Sequence, residues 1–219
     1  MESQVRGGTR WKRFAVVMVP SVAATAAIGV ALAQGALAAS FSVSGQSFKV
    51  SAKFLHGEGF SQYGAIDQGY TLTGDKAAHP VAVSAFTTAR IQKMCQSVVT
   101  PDIPILGDVT LRLEAGDSDD ENKQVHAEHL YIDVEDLGAD ATFNNIDIGV
   151  AAKDLKHEKI KSGEVQNKQA NPFGFAQQAD SADLSNVKQT AWATTAGTFK
   201  LSGLHMSLAR GSGPKYECY

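Results

Sequence analysis

Beyond residue 40 the chain repeats one spacing, with apolar residues two apart and a polar or small residue between them. "VAVSAF" sets Val81 and Val83 on one face, "VTLRLEA" sets Val109, Leu111 and Leu113, and "LYIDVEDL" sets Leu130, Ile132 and Val134. "FSVSGQSFKVSA" does the same with Phe41 and Val43, then with Phe48, Val50 and Ala52 after a glycine turn. "NIDIGV" adds Ile146, Ile148 and Val150, and "LHMSL" adds Leu204, Met206 and Leu208. Successive side chains of a strand point to opposite faces, so this period specifies half-buried strands. Only Leu184–Ala196 leaves room for a short helix. The fold class is mainly β, and sandwich, barrel and solenoid all remain compatible with the pattern. "LYIDVEDLGADATFNNIDIGVA" and "LSNVKQTAWATTAGTFKLSGLHMSLA" resemble each other, as an internal duplication or as two hairpins of similar composition.

The N-terminus is built differently. Arg6, Arg10, Lys12 and Arg13 precede an uncharged run, Phe14–Ala39. Its 26 residues make about 39 Å of helix, enough for a hydrocarbon core of about 30 Å. Basic residues stay on the cytoplasmic side, so the remainder is exported. Trp11, beside Lys12 and Arg13, occupies the aromatic-belt position of an anchor. The competing reading is a signal peptide cut near Ala38-Ala39, since Ala36-Leu37-Ala38 fits the small-residue rule. We favour the anchor. The expected organisation is a cytoplasmic basic segment (1–13), a transmembrane helix (14–39) and one extracytoplasmic β domain (40–219). Small residues let helix backbones approach closely, so Gly29, Ala33 and Gly35 mark a packing face, toward further copies or a membrane partner.

With a net charge of −3 and a basic N-terminus, the exported part is acidic. That excludes nucleic acid and electrostatic docking on anionic lipid. The two cysteines, Cys95 and Cys218, both lie on the exported side, where disulfides persist. They read as a staple holding the C-terminal tail to the body. "GDSDDENKQ" (116–124) and "KDLKHEKIKSGEVQNKQANP" (153–172) lack apolar periodicity and read as solvated loops.

Candidate chemistry is sparse. A serine-hydrolase elbow needs G-x-S-x-G, and "GQSFK" and "GDSDD" lack the second glycine. Asp133, Glu135, Asp136, Asp140 and Asp147 crowd one region, but Asp133 and Glu135 alternate with the apolar set and read as a solvated outer face. Asp117, Asp119, Glu121 and Glu128 imitate a calcium loop, with Asn122 where the turn glycine belongs. His126 and His129, three apart on a strand, point to opposite faces, which argues against a shared metal. Trp192 reads as core.

"RWKRFAVVMVP", "CQSVVTP", "LYIDVEDLGADATFNNIDIGVAA", "GFAQQADSA", "VKQTAWATTAGTFKLSGL" and the terminal "ECY" resemble a family of actinomycete proteins of unknown function, typical of Streptomyces and relatives. Its members often carry the label "cholesterol esterase" and stand beside a gene for a small multi-spanning membrane protein. The resemblance implies an envelope protein, and it brings no catalytic residues to carry over. The expectation is a non-enzymatic, membrane-anchored envelope protein, without cofactor or metal, assembled with itself or with that membrane partner. A lipid- or sterol-binding domain and a sterol-ester hydrolase are the alternatives.

Overall fold

The structure, a computed structural model, describes Met18, an exposed helical residue, and residues 42–219. Arg10, Trp11, Lys12, Arg13, Gly29, Ala33, Gly35, Phe41 and the Ala38-Ala39 junction lie outside the described residues. Among those described, no helix is long and apolar enough to cross a membrane.

The period-two segments fold as strands β1 (Phe48–Tyr70), β2 (Lys76–Gln92), β3 (Met94–Ile103), β4 (Gly107–Ala115), β5 (Val125–Asn144), β6 (Asp147–Ala151), β7 (Phe175–Thr195), β8 (Thr198–Lys200) and β9 (His205–Arg210). The helix expected within Leu184–Ala196 is strand, part of β7. The one short α-helix among the described residues is α1, Ser162–Gln166. The first two-residue alternation shrinks to a single bridge, Val43 to Gly69.

Four long strands close a ring, which settles the architecture as a barrel. β1 pairs with β2, β2 with β5, β5 with β7, and β7 with β1, all antiparallel. Strands of 23, 20 and 21 residues far exceed the usual length of about five or six, and must coil to close. Register shifts along the β5–β7 pairing and left-handed residues at Gly59 (φ 65°) and His129 (φ 49°) supply the bends. Phe86 enters the ring at Gly57, where a Cβ would come within 2.2 Å of its ring. Phe60 and Phe143 pack beside it, with Phe60 at centroid distances of 5.4 Å from Phe86 and 5.0 Å from Phe143. Leu130, Ile132, Val134, Leu184 and Val187 complete this interior. One interior cavity, between Leu55, Ile91, Leu130 and Phe199, measures about 30 Å³, room for a water molecule or so.

β3, β4 and β9 leave the ring as an antiparallel extension from the start of β1. The apolar face expected of Leu204, Met206 and Leu208 is exposed, Leu208 at 72 %, because β9 is an edge strand that no described residue covers. Ile148, on the opposite edge strand β6, is exposed for the same reason. The two similar segments become the adjacent antiparallel strands β5 and β7 with their short followers.

The C-terminus is latched to β1, β3 and β4. Cys95 and Cys218 form the expected disulfide. Lys49 pairs with Glu217 at 2.7 Å and donates to the Tyr219 carbonyl at 3.2 Å, and Cys218 N–H donates to Ser97 Oγ at 3.1 Å. That pairing, with Gly213 N–H donating to the same carboxylate, holds Glu217 below its ordinary carboxylate range. The bridge spans 123 residues, so its loop-closure term is about 5 kcal/mol in the chain-entropy model. Cys218→Ser is expected to lower unfolding stability by about 2–5 kcal/mol in denaturant titration, with reductant destabilising the wild type and leaving the variant unchanged.

Candidate functional site

The most unusual chemistry lies on the outside of the barrel. On β5, Tyr131 and Asp133 alternate with the interior residues Leu130, Ile132 and Val134, so their side chains point outward. Val83 lies opposite Asp133 and Ala85 opposite Tyr131, so this part of β2 shares that outer face. Tyr63, Ala65 and Asp67 of β1 join them.

This face is covered. The 153–172 segment, expected to be a solvated loop, packs Leu155 and Ala170, with Ala152 just before it, against Tyr63, Val83 and Tyr131. Its end continues the sheet along β1, with Ile66 N–H donating to Gln169 O at 2.8 Å and Ala170 bridged to Ala65. Asp133 is on the outward face as expected, but it is 3 % exposed rather than solvated. Glu135, Asp136, Asp140 and Asp147 remain exposed, beyond the cover.

Beneath the segment, one ammonium serves two carboxylates. Lys161 Nζ stands 3.2 Å from Asp133 Oδ1 and 3.0 Å from Glu164 Oε1, and 5.3 Å from the Tyr131 ring centroid. Tyr63 donates to Glu164 Oε2 at 2.8 Å and Tyr131 to Glu158 Oε2 at 2.7 Å, while His129 Nδ1 lies 2.9 Å from Glu158 Oε1. Burial opposes the Lys161 charge, yet Asp133 and Glu164 override it and hold the amine above the usual lysine range. Burial raises Asp133, and Lys161 only partly offsets it because Glu164 shares the same ammonium. Burial likewise pushes the Tyr63 and Tyr131 phenols up, so both stay protonated donors.

Asp67 adds a further carboxylate beside this cluster. Its Oδ2 is buried and unbonded among the described residues, as are His79 Nε2 and Trp192 Nε1. His79 lies directly across the ladder from Asp67 and stacks on Trp192 at 3.5 Å. Trp192 packs against the covered cluster, as its core reading expected. Burial, with the Asp133 charge, pushes the Asp67 carboxyl up to about 7 against an opposing pull from Lys161.

The arrangement is chemically closed. Lys161 bonds Asp133 and Glu164, Glu164 also accepts from Tyr63, and the three side chains are each 4 % exposed beneath the segment. It can fix the segment to the barrel and bind protons. Sequence reasoning missed Tyr63, Asp67, Glu158, Lys161 and Glu164. The available signal was the spacing of Leu155 and Ile160 among the charges, together with apolar residues on both faces of β2.

The other candidates do not converge. Asp117 faces Lys93 at 3.9 Å, Asp119 accepts from Gln92 at 2.6 Å, Glu121 pairs with Arg90, and Glu128 lies 3.7 Å from His126. Each of the four has its own separate partner, and no metal-holding group of acids, histidines or cysteines occurs among the described residues. His126 and His129 face different acids, Glu128 and Glu158. His56 is held between Asp183 at 2.6 Å and Glu58 at 3.0 Å, and the Asp183 bond raises its pKa despite partial burial. An open groove of about 610 Å³ runs beside the disulfide past Lys53, Lys93 and Arg112. Those cations are answered by Asp119, Asp117 and Glu114.

Breaking a buried pair leaves uncompensated charge, at about 3–5 kcal/mol. Lys161→Ala should therefore destabilise by that order and admit protease to the 153–172 segment at concentrations the wild type resists. Asp67 gives a pH dependence of definite sign. Its ordinary value is 3.8, so between about 4 and 7 the folded chain keeps a proton that the unfolded chain has lost. Its contribution to stability is therefore fullest below pH 4 and falls as pH rises to 7. Asp67→Asn should raise stability at pH 8 by about 1–3 kcal/mol and flatten this slope, read from melting curves between pH 5 and 8. Equal destabilisation at both ends would contradict it.

No curated protein and no solved structure matches the chain. The profile described as "Family of unknown function (DUF6230)" matches residues 44–219, the whole barrel with its extension and C-terminal latch. The chain belongs to that family of unknown function.

Proposed function

We propose that this protein is a non-enzymatic envelope protein whose β barrel stands outside the cytoplasmic membrane, tethered by residues 14–39. The observation that carries the reading is the Cys95–Cys218 bridge. It consumes both cysteines and anchors a latch of Lys49, Glu217 and Tyr219, an investment suited to an oxidising compartment. Among the described residues, the buried cluster of Lys161, Asp133 and Glu164 is turned on itself rather than on a substrate space, which favours a binding or scaffolding role over catalysis.

Assembly is the second part of the proposal. β9 offers a free edge with Met206 and Leu208 exposed, the kind of edge that pairs with another chain unless it is covered. Gly29, Ala33 and Gly35 would bring helices together within the bilayer, between copies or with a small multi-spanning partner. A sterol inside the barrel is disfavoured, since ligand pockets run to about 300–1,000 Å³ and the cavity found there is about 30 Å³. A sterol-ester hydrolase would need an activated serine, and no serine hydroxyl bonds a histidine ring among the described residues.

Native mass spectrometry of protein extracted gently from membranes tests the reading. A full-length subunit mass in a defined multiple, or with a membrane partner, is the expected result. A subunit beginning near Ala39 would overturn the anchor and leave a secreted barrel.

A further inference from the structure

Beyond Tyr63, β1 loses its β7 neighbour, and before Ala82, β2 loses β5. The two strands continue as a ribbon to a turn at 71–75, flanked along β1 only by short bridges to Ala170 and Val43 among the described residues. Its two faces differ. Asp67, His79 and Val81 point toward the covered cluster, whereas Ile66, Gln68, Tyr70, Lys76, Ala78 and Pro80 point out. Cross-strand pairs Ile66–Pro80, Gln68–Ala78 and Tyr70–Lys76 make that outer face continuous. Ile66 is 46 %, Tyr70 51 % and Leu72 58 % exposed, and Lys76 is the face's one charge. At the turn, Thr71 N–H donates to Asp75 O at 2.8 Å and Thr73 donates to Asp75 Oδ2 at 2.9 Å. The turn is thus tied together around Asp75, whose exposed carboxylate marks the end of the apolar face.

Where the chain enters the domain gives this face its partner. Val43 is buried along the ribbon, its N–H donating to Gln68 O at 3.0 Å, and Gly69 is the one residue that fits beneath it. Ser42 lies in a shallow groove with Gln68, Tyr70 and Lys76. Two residues, Ser40 and Phe41, separate Ser42 from Ala39, and the three Cα steps between them span at most about 11 Å.

We propose that the outer face of the β1–β2 ribbon rests on the interface of the membrane that the N-terminal segment crosses. The inference rests on the anchor proposed above. Ile66, Leu72 and Pro80 enter the acyl boundary, Tyr70 takes the interfacial aromatic position, and Lys76 reaches up to lipid phosphate. The attraction is apolar, so it does not require anionic lipid and is compatible with an acidic domain.

The test uses the full chain in phosphatidylcholine vesicles with and without doxyl-labelled lipid. Leu72→Trp and Tyr70→Trp are compared with Leu208→Trp on β9, each as a difference from the wild-type emission. The expected result is blue-shifted emission at positions 70 and 72, roughly halved by doxyl lipid, with the position 208 signal unaffected. Emission at 70 and 72 that is unquenched, whether red or blue-shifted, would place the ribbon in water or against protein and overturn the contact while leaving the anchor intact. Protein that fails to float with vesicles and has a mass beginning near Ala39 would overturn both.

Discussion

The ammonium of Lys161 decides what counts as the inside of this protein. Moving an unpaired ammonium out of water costs several kcal/mol, and only close carboxylates with good geometry offset it. Asp133, from a barrel strand, and Glu164, from the short helix, supply them at 3.2 and 3.0 Å. Because the two acids come from different parts of the chain, the ion triad joins the 153–172 segment to the sheet. With the segment in place, Val81, Val83 and Ala85 are core. Without it they would be an apolar stripe on a barrel wall.

The barrel therefore has two layers of packing. Its interior is aromatic and aliphatic, built where Gly57 admits Phe86 and where bulges coil strands too long to close otherwise. The second layer, outside, mixes Leu155 and Ala170 with the ion cluster. At the far end of β1 the C-terminal latch works by other means, a covalent bridge with Lys49 and Glu217 beside it. Both devices tie chain segments without regular strand structure to β1, the strand that touches β2, β3 and β7. Two of the exposed apolar surfaces, the ribbon tip and the β9 edge, lie toward opposite ends of β1.

Much of the fold was legible in the sequence, because period two is a direct consequence of strand geometry. Leu130, Ile132 and Val134 read correctly as one inward face, and Cys95 with Cys218 read correctly as a staple. Closure was not legible, since pairing β7 with β1 depends on contacts more than a hundred residues apart. Nor did alternation reveal which apolar faces find a cover. Leu204, Met206 and Leu208 follow the same rule as Val81 and Val83, yet the first set is bare and the second buried. The site was hidden for a related reason. A segment of lysines and glutamates reads as solvated because isolated charges avoid the core, and that rule fails when the acid they need lies outside the segment. Asp133 was assigned to the correct face of its strand; what covers that face could not be read from the strand itself.

The central claim is that the 153–172 segment is part of the folded core, held there by buried charge rather than lying on it as a loop. Native-state hydrogen exchange measures this directly at amides whose bonds define the segment, Gln169 to Glu164 O at 2.7 Å and Ile66 to Gln169 O at 2.8 Å. Both amides should exchange as slowly as the central barrel strands, through global unfolding. Fast local exchange at these amides, with the barrel strands still protected, would contradict it.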